Sequence, residues 1–178
     1  MLGPTLETPR LILRPPAAAD FPPYAELMAD EDSARYLGGV QLRSVAWRSF
    51  ATIAGAWALY GFSMFSIIEK ETGRWVGRVG PWQPEGWPGP EVGWAILPGA
   101  QRRGYAKEAA ACAIDWAFHE LGWLEVLHCI DPANLPSIAT AVSLGSGVRS
   151  RGVVAPAPLS AVWDIYGQTR ESWRDRPR

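Results

Sequence analysis

Six residues near the middle of the chain have the types and spacing of an anion-binding turn. They read Gln-Arg-Arg-Gly-Tyr-Ala over residues 101–106, between an apolar stretch that predicts a strand and a long helical pattern. The first N–H groups of a helix have no partner inside it and lie at the positive end of its dipole. Gly104 lets the backbone approach a ligand closely, and Arg102 and Arg103 add charge. The turn therefore predicts a phosphate or pyrophosphate site.

Other motifs for phosphate, metal or nucleophilic chemistry do not match this sequence. There is no Walker Gly-x-x-x-x-Gly-Lys-Ser/Thr run and no Gly-x-Gly-x-x-Gly fingerprint. Cys112 and Cys129 lie in a predicted helix and a predicted strand, which favours core residues over nucleophiles. His119 and His128 have no metal-ligand spacing with the cysteines, so we expect no metal.

Length and composition indicate one globular domain. The chain has 178 residues, of which 48% are hydrophobic and 20% charged, and its net charge of −1 gives no reason to expect a nucleic-acid partner. No secretion signal is recognisable and the two cysteines make no disulfide framework, so we expect a cytoplasmic protein. Residues 49–68 carry no charge, but their period changes at Gly61, which predicts a helix and then a buried strand instead of a membrane span.

The elements that would position the turn follow from periodicity and punctuation. We expect one domain over residues 1–168 and a polar, frayed C-terminal tail over residues 169–178. An alanine-rich face of the helix after the turn would lie close against a sheet. The predicted order is a strand (8–14), helices (20–28 and 44–60), strands (62–69, 74–80 and 92–97), a helix (104–121), a strand (124–130), a helix (134–144) and a last strand (159–166). Residues 146–157 are rich in glycine and proline and predict mainly loop.

This sequence resembles the GNAT superfamily of acetyl-CoA-dependent N-acetyltransferases. Gln101, Gly104 and Ala106 occupy the defining places of that family's pyrophosphate loop. The pair Asn134 and Ser137 after a strand also matches, and the opening at residues 6–14 resembles the branch of ribosomal-protein-alanine N-acetyltransferases. The resemblance implies an α/β (α+β) fold with a mixed, mostly antiparallel sheet of about six to seven strands and about four helices.

The resemblance implies acetyl-CoA as co-substrate and assigns residues to it. Backbone N–H groups of residues 102–106 would bind the pyrophosphate, with the side chains of Gln101 and the arginines beside it, and a backbone N–H near Ile96 would be the oxyanion donor. Asn134 and Ser137 would contact the cofactor arm. The complete predicted set is Trp94, Ala95, Ile96, Leu97, Gln101, Arg102, Arg103, Gly104, Tyr105, Ala106, Asn134 and Ser137.

Glu91 and Ser137 are the predicted catalytic residues. Glu91 opens an apolar strand, where burial would raise the pKa of its carboxyl toward neutrality, as a general base requires. An edge charge or a salt-bridge partner is its alternative interpretation, and Glu85 is a weaker candidate for the base. Ser137 would protonate or position the leaving thiolate. Residues 139–144 lack the tyrosine that many family members use as this acid, which is a departure from the family's pattern.

The acceptor side is predicted from aromatic residues and from the branch resemblance. Tyr36, Trp82 and Trp87, with Glu85, would line the substrate site, although loop aromatics can equally cover a core edge. The branch favours a protein N-terminal α-amine as acceptor. A small amine, such as an aminoglycoside or a polyamine, and a non-catalytic acyl-CoA-binding module are the alternatives. We expect a monomer or a homodimer with no membrane partner.

Overall fold

The computed structural model describes residues 3–157, 159 and 161–176. Within these ranges the chain forms eight strands and six α-helices. In chain order they are β1 (Leu6–Glu7), β2 (Leu11–Arg14), α1 (Phe21–Ala29), α2 (Glu31–Ala34), α3 (Arg43–Tyr60), β3 (Phe65–Glu69), β4 (Trp75–Trp82), β5 (Glu91–Ile96), α4 (Tyr105–His119), β6 (Glu125–Ile130), α5 (Leu135–Ser143), β7 (Gly147–Val154), β8 (Val162–Thr169) and α6 (Arg170–Arg174).

All eight strands belong to one sheet, in the order β1-β2-β3-β4-β5-β6-β8-β7. Every neighbouring pair is antiparallel except β5 and β6, which are parallel. The expected mixed, mostly antiparallel α+β sheet is confirmed. The strand count exceeds the expected one because Leu6–Glu7 forms a separate strand beside β2 and because residues 147–154, predicted mainly as loop, pair with β8. The extra helices, α2 and α6, are short.

The sheet is covered by helices on both faces. On one face α4 buries Ala109, Ala110, Ala113 and Ala117 completely, so the expected alanine face does lie against the sheet. On the other face α1 and α3 enclose a second cluster with Met64, Trp75 and Ala95 among its members. The candidate site lies between β5 and β6, two strands of the sheet that separates these helical layers.

The C-terminal residues are more ordered than the sequence indicates. The last strand is Val162–Thr169 instead of residues 159–166, and residues 170–174 of the predicted tail form α6. Thr169 caps this helix by accepting from the N–H of Ser172 at 3.2 Å, and Trp173 is 3% exposed. The indole of Trp173 donates to Asp115 on α4 at 2.6 Å. This aromatic anchor corrects the expectation of a frayed tail, of which residues 177 and 178 lie outside the described residues.

Candidate functional site

A gap opens between the parallel strands β5 and β6. They pair at Glu91 and Leu127. One residue further along each strand, the Nδ1 of His128 lies 2.7 Å from the carbonyl oxygen of Val92. A side chain therefore bridges the two strands where a backbone hydrogen bond would otherwise lie. Beyond this point the edge of β5 faces the gap without a neighbouring strand.

Strand alternation determines which backbone groups of β5 face the gap. The carbonyl of Val92 points toward β6, whereas the N–H of Leu97 points the other way and donates to Val76 on β4 at 2.9 Å. Because successive residues alternate, the backbone groups of Trp94 and Ile96 point toward the gap. This edge could pair with an extended ligand arm, and the N–H of Ile96 is directed as an oxyanion donor would be.

The turn before α4 leaves its backbone donors open. Gly104 adopts a left-handed conformation with φ of 78°, and it precedes the first helical residue. Within the described ranges the N–H groups of residues 102–106 donate to no protein acceptor. Five adjacent donors at the positive end of a helix can bind a pyrophosphate, so the chain fits the group that the sequence predicts here.

Three side chains of this turn form hydrogen bonds or ion pairs within the protein. Gln101 donates its amide to the carbonyl of Ile96 at 3.1 Å and so ties the turn to β5. Arg103 pairs with the buried Glu69 at 3.3 Å, and the hydroxyl of Tyr105 donates to the same carboxylate. The Arg103 charge and the Tyr105 ring are therefore committed to Glu69, which needs partners because it is buried. The Arg103 side chain is nevertheless more than half exposed, so its place beside the phosphates, like that of Arg102, stays a prediction.

Asn134 and Ser137 lie where the gap meets α5. The side-chain oxygen of Asn134 accepts from the N–H of Ser137 at 3.3 Å, which is the geometry of a helix N-cap. Both residues line the gap, as does Trp94 on the opposite strand. Their capping role is thus observed, and their contact with a cofactor arm stays a prediction.

The gap continues into a cleft of about 920 Å³. Its lining includes residues from both faces of the sheet, among them Asn134 and Ser137 on the α5 side and Tyr24 and Ile53 from α1 and α3. The cleft therefore passes between β5 and β6 and connects the two faces. A cleft of this size is typical of small-molecule sites.

Glu91 lies at the point where the two faces meet. Its carboxylate is 7% exposed, and it accepts from the indole N–H of Trp87 at 2.6 Å and from the backbone N–H of Cys129 at 3.1 Å. Burial raises the pKa of Glu91 to about 7, against the effect of these hydrogen bonds. Near neutral pH such a group is present in both protonation states, as a general base must be.

The predicted substrate residues lie in different places. Trp82 and Trp87 line the cleft, and Tyr36 reaches across it to donate its hydroxyl to the carbonyl of Ala133 at 3.2 Å. Glu85 is exposed and is not part of the cleft, because the turn at Glu85 and Gly86 directs it to solvent. Contact of Glu85 with the substrate, and its weaker candidacy as base, therefore stay predictions.

Sequence reasoning did not single out His128 or Arg78, which also line the cleft. His128 is 1% exposed, and burial lowers the pKa of its imidazole to about 4, so the ring is neutral. Its Nδ1 must donate to the Val92 carbonyl, so its Nε2 accepts from the hydroxyl of Ser146 at 2.9 Å. A signal was available for both residues, since each interrupts a stretch that is otherwise apolar.

Among the described residues, no group of three His, Cys, Asp or Glu side chains is placed to hold a metal ion. Of the helices in the same ranges, none combines the length and the apolar character that crossing a membrane requires.

Comparison with known proteins gives one family and several similar structures. The family model of the acetyltransferase (GNAT) domain matches residues 10–146. The solved acetyltransferase of Agrobacterium tumefaciens str. C58 is 34% identical, with a TM-score of 0.83 over 94% of this chain and 95% of that one. The uncharacterised protein YkkB of Bacillus subtilis (strain 168) is 34% identical over 88 residues, 48% of this chain. That match spans about half, 51%, of the curated relative.

Two more distant structures share the fold alone. A ribosomal-protein-S5-alanine acetyltransferase from Vibrio fischeri is 14% identical, with a TM-score of 0.72 over 98% of this chain and all (100%) of that chain. A spermidine N-acetyltransferase from Vibrio cholerae, solved with CoA and spermine, is 13% identical, with a TM-score of 0.74 over 94% and 99% of the two chains. Their names describe different acceptors, so the acceptor must be argued from the cleft.

Proposed function

Because this chain belongs to the GNAT acetyltransferase domain family, we propose that it transfers acetyl from acetyl-CoA directly to a primary amine. The observation that carries the proposal is the position of Glu91. This buried carboxylate, with a pKa of about 7, lies in a cleft that also reaches the open edge of β5. Acetyl-CoA, when bound, supplies the thioester carbon that the amine attacks.

In the proposed reaction, each of several groups in this chain has a separate role. Backbone N–H groups of residues 102–106 bind the pyrophosphate, and the edge at Trp94 and Ile96 orients the arm that carries the thioester. Glu91 takes the proton that the attacking amine must lose, directly or through water. The N–H of Ile96 donates to the oxygen on which negative charge develops. Ser137 lines the cleft, and in this proposal its hydroxyl positions the leaving sulfur.

We propose a protein N-terminal α-amine as the acceptor. An α-amine has a pKa near ~8, whereas a lysine-type amine has one near ~10.4. A base whose pKa is about 7 deprotonates the former at a cost of about 1.4 kcal/mol and the latter at several times that cost. The branch resemblance of residues 6–14 supports the same choice. A small amine is the second candidate, and a non-catalytic acyl-CoA-binding module is the alternative outside enzyme chemistry.

One set of measurements tests the proposal. Acetyl-CoA should raise the melting temperature of the purified protein, and thiol release should occur with peptides that have free N-termini. Glu91→Gln should keep the stabilisation by acetyl-CoA and lower kcat/KM about 10²- to 10⁴-fold. Stabilisation without thiol release on any amine would establish the binding module instead. No stabilisation would remove the cofactor assignment, and an unchanged rate in Glu91→Gln would remove the base.

A further inference from the structure

Arg78 is a charged residue in the middle of a buried strand. It lies on β4, opposite Ala95 of β5, on the face that α1 and α3 cover. Its guanidinium is directed into the cleft, with its Cζ 5.9 Å from the ring centroid of Tyr24. The side chain is half-buried, and its Nε is buried. This position places a permanent positive charge in the wall of the proposed acceptor site.

The hydrogen-bond donors of Arg78 lack suitable acceptors within the described ranges. Its Nε has no partner, and its Nη1 donates to the thioether sulfur of Met64 at 2.8 Å. A thioether is a weak acceptor, and a guanidinium offers five N–H donors in a fork that matches a carboxylate or a phosphate. No carboxylate in these ranges comes within ion-pair distance of Arg78, although its charge acts at longer range on Glu91 and lowers the pKa of that carboxyl.

Elsewhere the fold supplies such partners. Arg14 pairs with the buried Asp20 at 2.7 Å, Arg103 with Glu69 at 3.3 Å, and Arg151 with Asp164 at 2.6 Å. A buried donor or charge without a partner destabilises a folded chain, so buried polar groups are normally satisfied. In the described part of the chain three buried side-chain atoms lack a partner, Ser33 Oγ, Ser63 Oγ and Arg78 Nε, and of these residues only Arg78 lines the cleft, where a ligand can provide the missing acceptor.

The part of the sheet between Arg78 and Glu91 forms the floor of the cleft and indicates how an acceptor would be oriented there. Arg78 and Glu91 are on the same face, and between them the facing pair Gly80 and Gly93 leaves the floor without side chains of its own. A Cβ added at Gly93 would come within 3.2 Å of Met64 Cε, the same side chain that contacts Arg78. An acceptor with its amine at Glu91 could therefore extend over Met64 toward the guanidinium.

We infer that the acceptor carries an anionic group, a carboxylate or a phosphate, in addition to its amine, and that Arg78 binds that group. The inference rests on the proposed function, because it identifies the class of amine that the same cleft accepts. The anion supplies the oxygen acceptors that the guanidinium lacks. A polycationic acceptor, such as a polyamine or an aminoglycoside, would instead bring like charge against Arg78.

Matched acceptors test this inference on the full-length protein. Three peptides with free N-termini and amidated C-termini should differ only at the second residue, which is Asp, Asn or phosphoserine. A free amino acid and its amide form a smaller matched pair. With saturating acetyl-CoA, the wild type should prefer an anionic member of these sets about 10- to 100-fold in kcat/KM, mainly through KM. The better of the carboxylate and the phosphate identifies the source of the anion.

Variants at Arg78 assign the preference to this residue. Arg78→Gln and Arg78→Met should lower the preference to about one while transfer to the neutral acceptor continues. Arg78→Lys keeps the charge without the fork and should retain part of the preference. Arg48→Gln, an exposed arginine outside the cleft, is the matched control and should behave as the wild type. Loss of folding is controlled by Arg78→Met, which should melt no lower than the wild type because it removes a half-buried charge.

A binding measurement separates this inference from the proposed function. The acetylated acidic peptide, which cannot react, should stabilise the wild type more than the acetylated neutral peptide does, and Arg78→Gln should abolish the difference. An absence of thiol release on every amine would overturn the proposed function, and this binding arm would still decide the role of Arg78. Equal stabilisation by both peptides, or a preference that survives in Arg78→Gln, would overturn the inference. A uniform change in kcat with all acceptors would show that Arg78 acts only on Glu91.

Discussion

Burial, two hydrogen-bond donors and one nearby charge determine the pKa of the Glu91 carboxyl. Burial is the largest influence and raises the pKa, whereas the donors from Cys129 and Trp87 and the positive charge of Arg78 lower it. The result, about 7, lies between that of an ordinary carboxyl and that of an α-amine. The indole of Trp87 is therefore a positioning and tuning group for the proposed base, in addition to forming part of the cleft wall.

Trp87→Phe should move the pH dependence of the reaction. Phenylalanine keeps an aromatic ring against Trp163 but removes the N–H that stabilises the ionised carboxylate, so the pKa of Glu91 should rise further. The midpoint of kcat/KM against pH should shift upward by about one pH unit. Trp82→Phe, at a cleft residue that does not bond to Glu91, is the control and should leave the midpoint in place. A downward shift in Trp87→Phe would contradict this role.

At the residue scale, the sequence could predict Glu91 but not its partners. Its place at the start of an apolar strand indicated burial, which the structure bears out at 7% exposure. The indole of Trp87 could not be paired with it from sequence, since that contact depends on how the loop between β4 and β5 folds back. Arg78 was visible as a charge within an apolar strand, but its lack of a partner is a property of the packed molecule alone.

At the scale of elements, the turn before α4 depends on one backbone conformation. Gly104 has φ of 78°, which residues with a Cβ adopt at a cost of about 1–2 kcal/mol. A Cβ there would also lie 3.4 Å from the guanidinium of Arg10, which donates to the carbonyl of Arg103. The glycine thus allows both the left-handed turn and the contact that holds it to the N-terminal strand.

Gly104→Ala should weaken acetyl-CoA binding beyond its effect on stability. Gly61→Ala is a matched control, because Gly61 has φ of 74° at the end of α3 and open space around its Cβ position. Both variants should lose about 1 kcal/mol of unfolding free energy in urea titrations. Only Gly104→Ala should raise the dissociation constant of acetyl-CoA, by about 5-fold or more in calorimetry. Equal affinities in the two variants would place the pyrophosphate elsewhere.

The elements that the sequence predicted well are those with a strong period. The Ala-rich helix and the strands on either side of it were recognisable, because burial on one face repeats regularly. The hairpin of β7 and β8 was not, because the first six residues of β7 and its last one are all exposed, and its pairing is irregular between Val148 and Val153. Its glycines indicated a loop, and only long-range pairing with β8 gives it extended structure.

At the scale of the whole molecule, two buried groups impose opposite pH dependences on stability. The pKa of Glu91 is about 7 in the folded chain, above its ordinary value of 4.5, so the unfolded chain loses its proton first as pH rises. Glu91 therefore costs stability progressively from about pH 4.5 to 7. The pKa of His128 is about 4, below its ordinary value of 6.5, so His128 costs stability as pH falls from 6.5 to 4.

Single variants should reveal these two dependences of the unfolding free energy on pH. Relative to the wild type, Glu91→Gln should gain about 3 kcal/mol of unfolding free energy as pH rises from 4.5 to 7. His128→Asn, whose side chain can still donate to the Val92 carbonyl, should gain a similar amount, about 3 kcal/mol, as pH falls from 6.5 to 4. Urea unfolding at a series of pH values measures both. Parallel curves for all three proteins would show that neither group is perturbed as described.

The cleft that passes between β5 and β6 has a consequence for the order of events in the proposed reaction. The cleft is lined from α5 on one face of the sheet and from α1 and α3 on the other, so in the proposed reaction acetyl-CoA and the acceptor can enter from different faces. The two substrates can then bind, and the two products leave, in any order. No acetylated side chain is required as an intermediate carrier. A molecule that joins coenzyme A covalently to the acceptor would have to pass through the gap between β5 and β6, from one face of the sheet to the other.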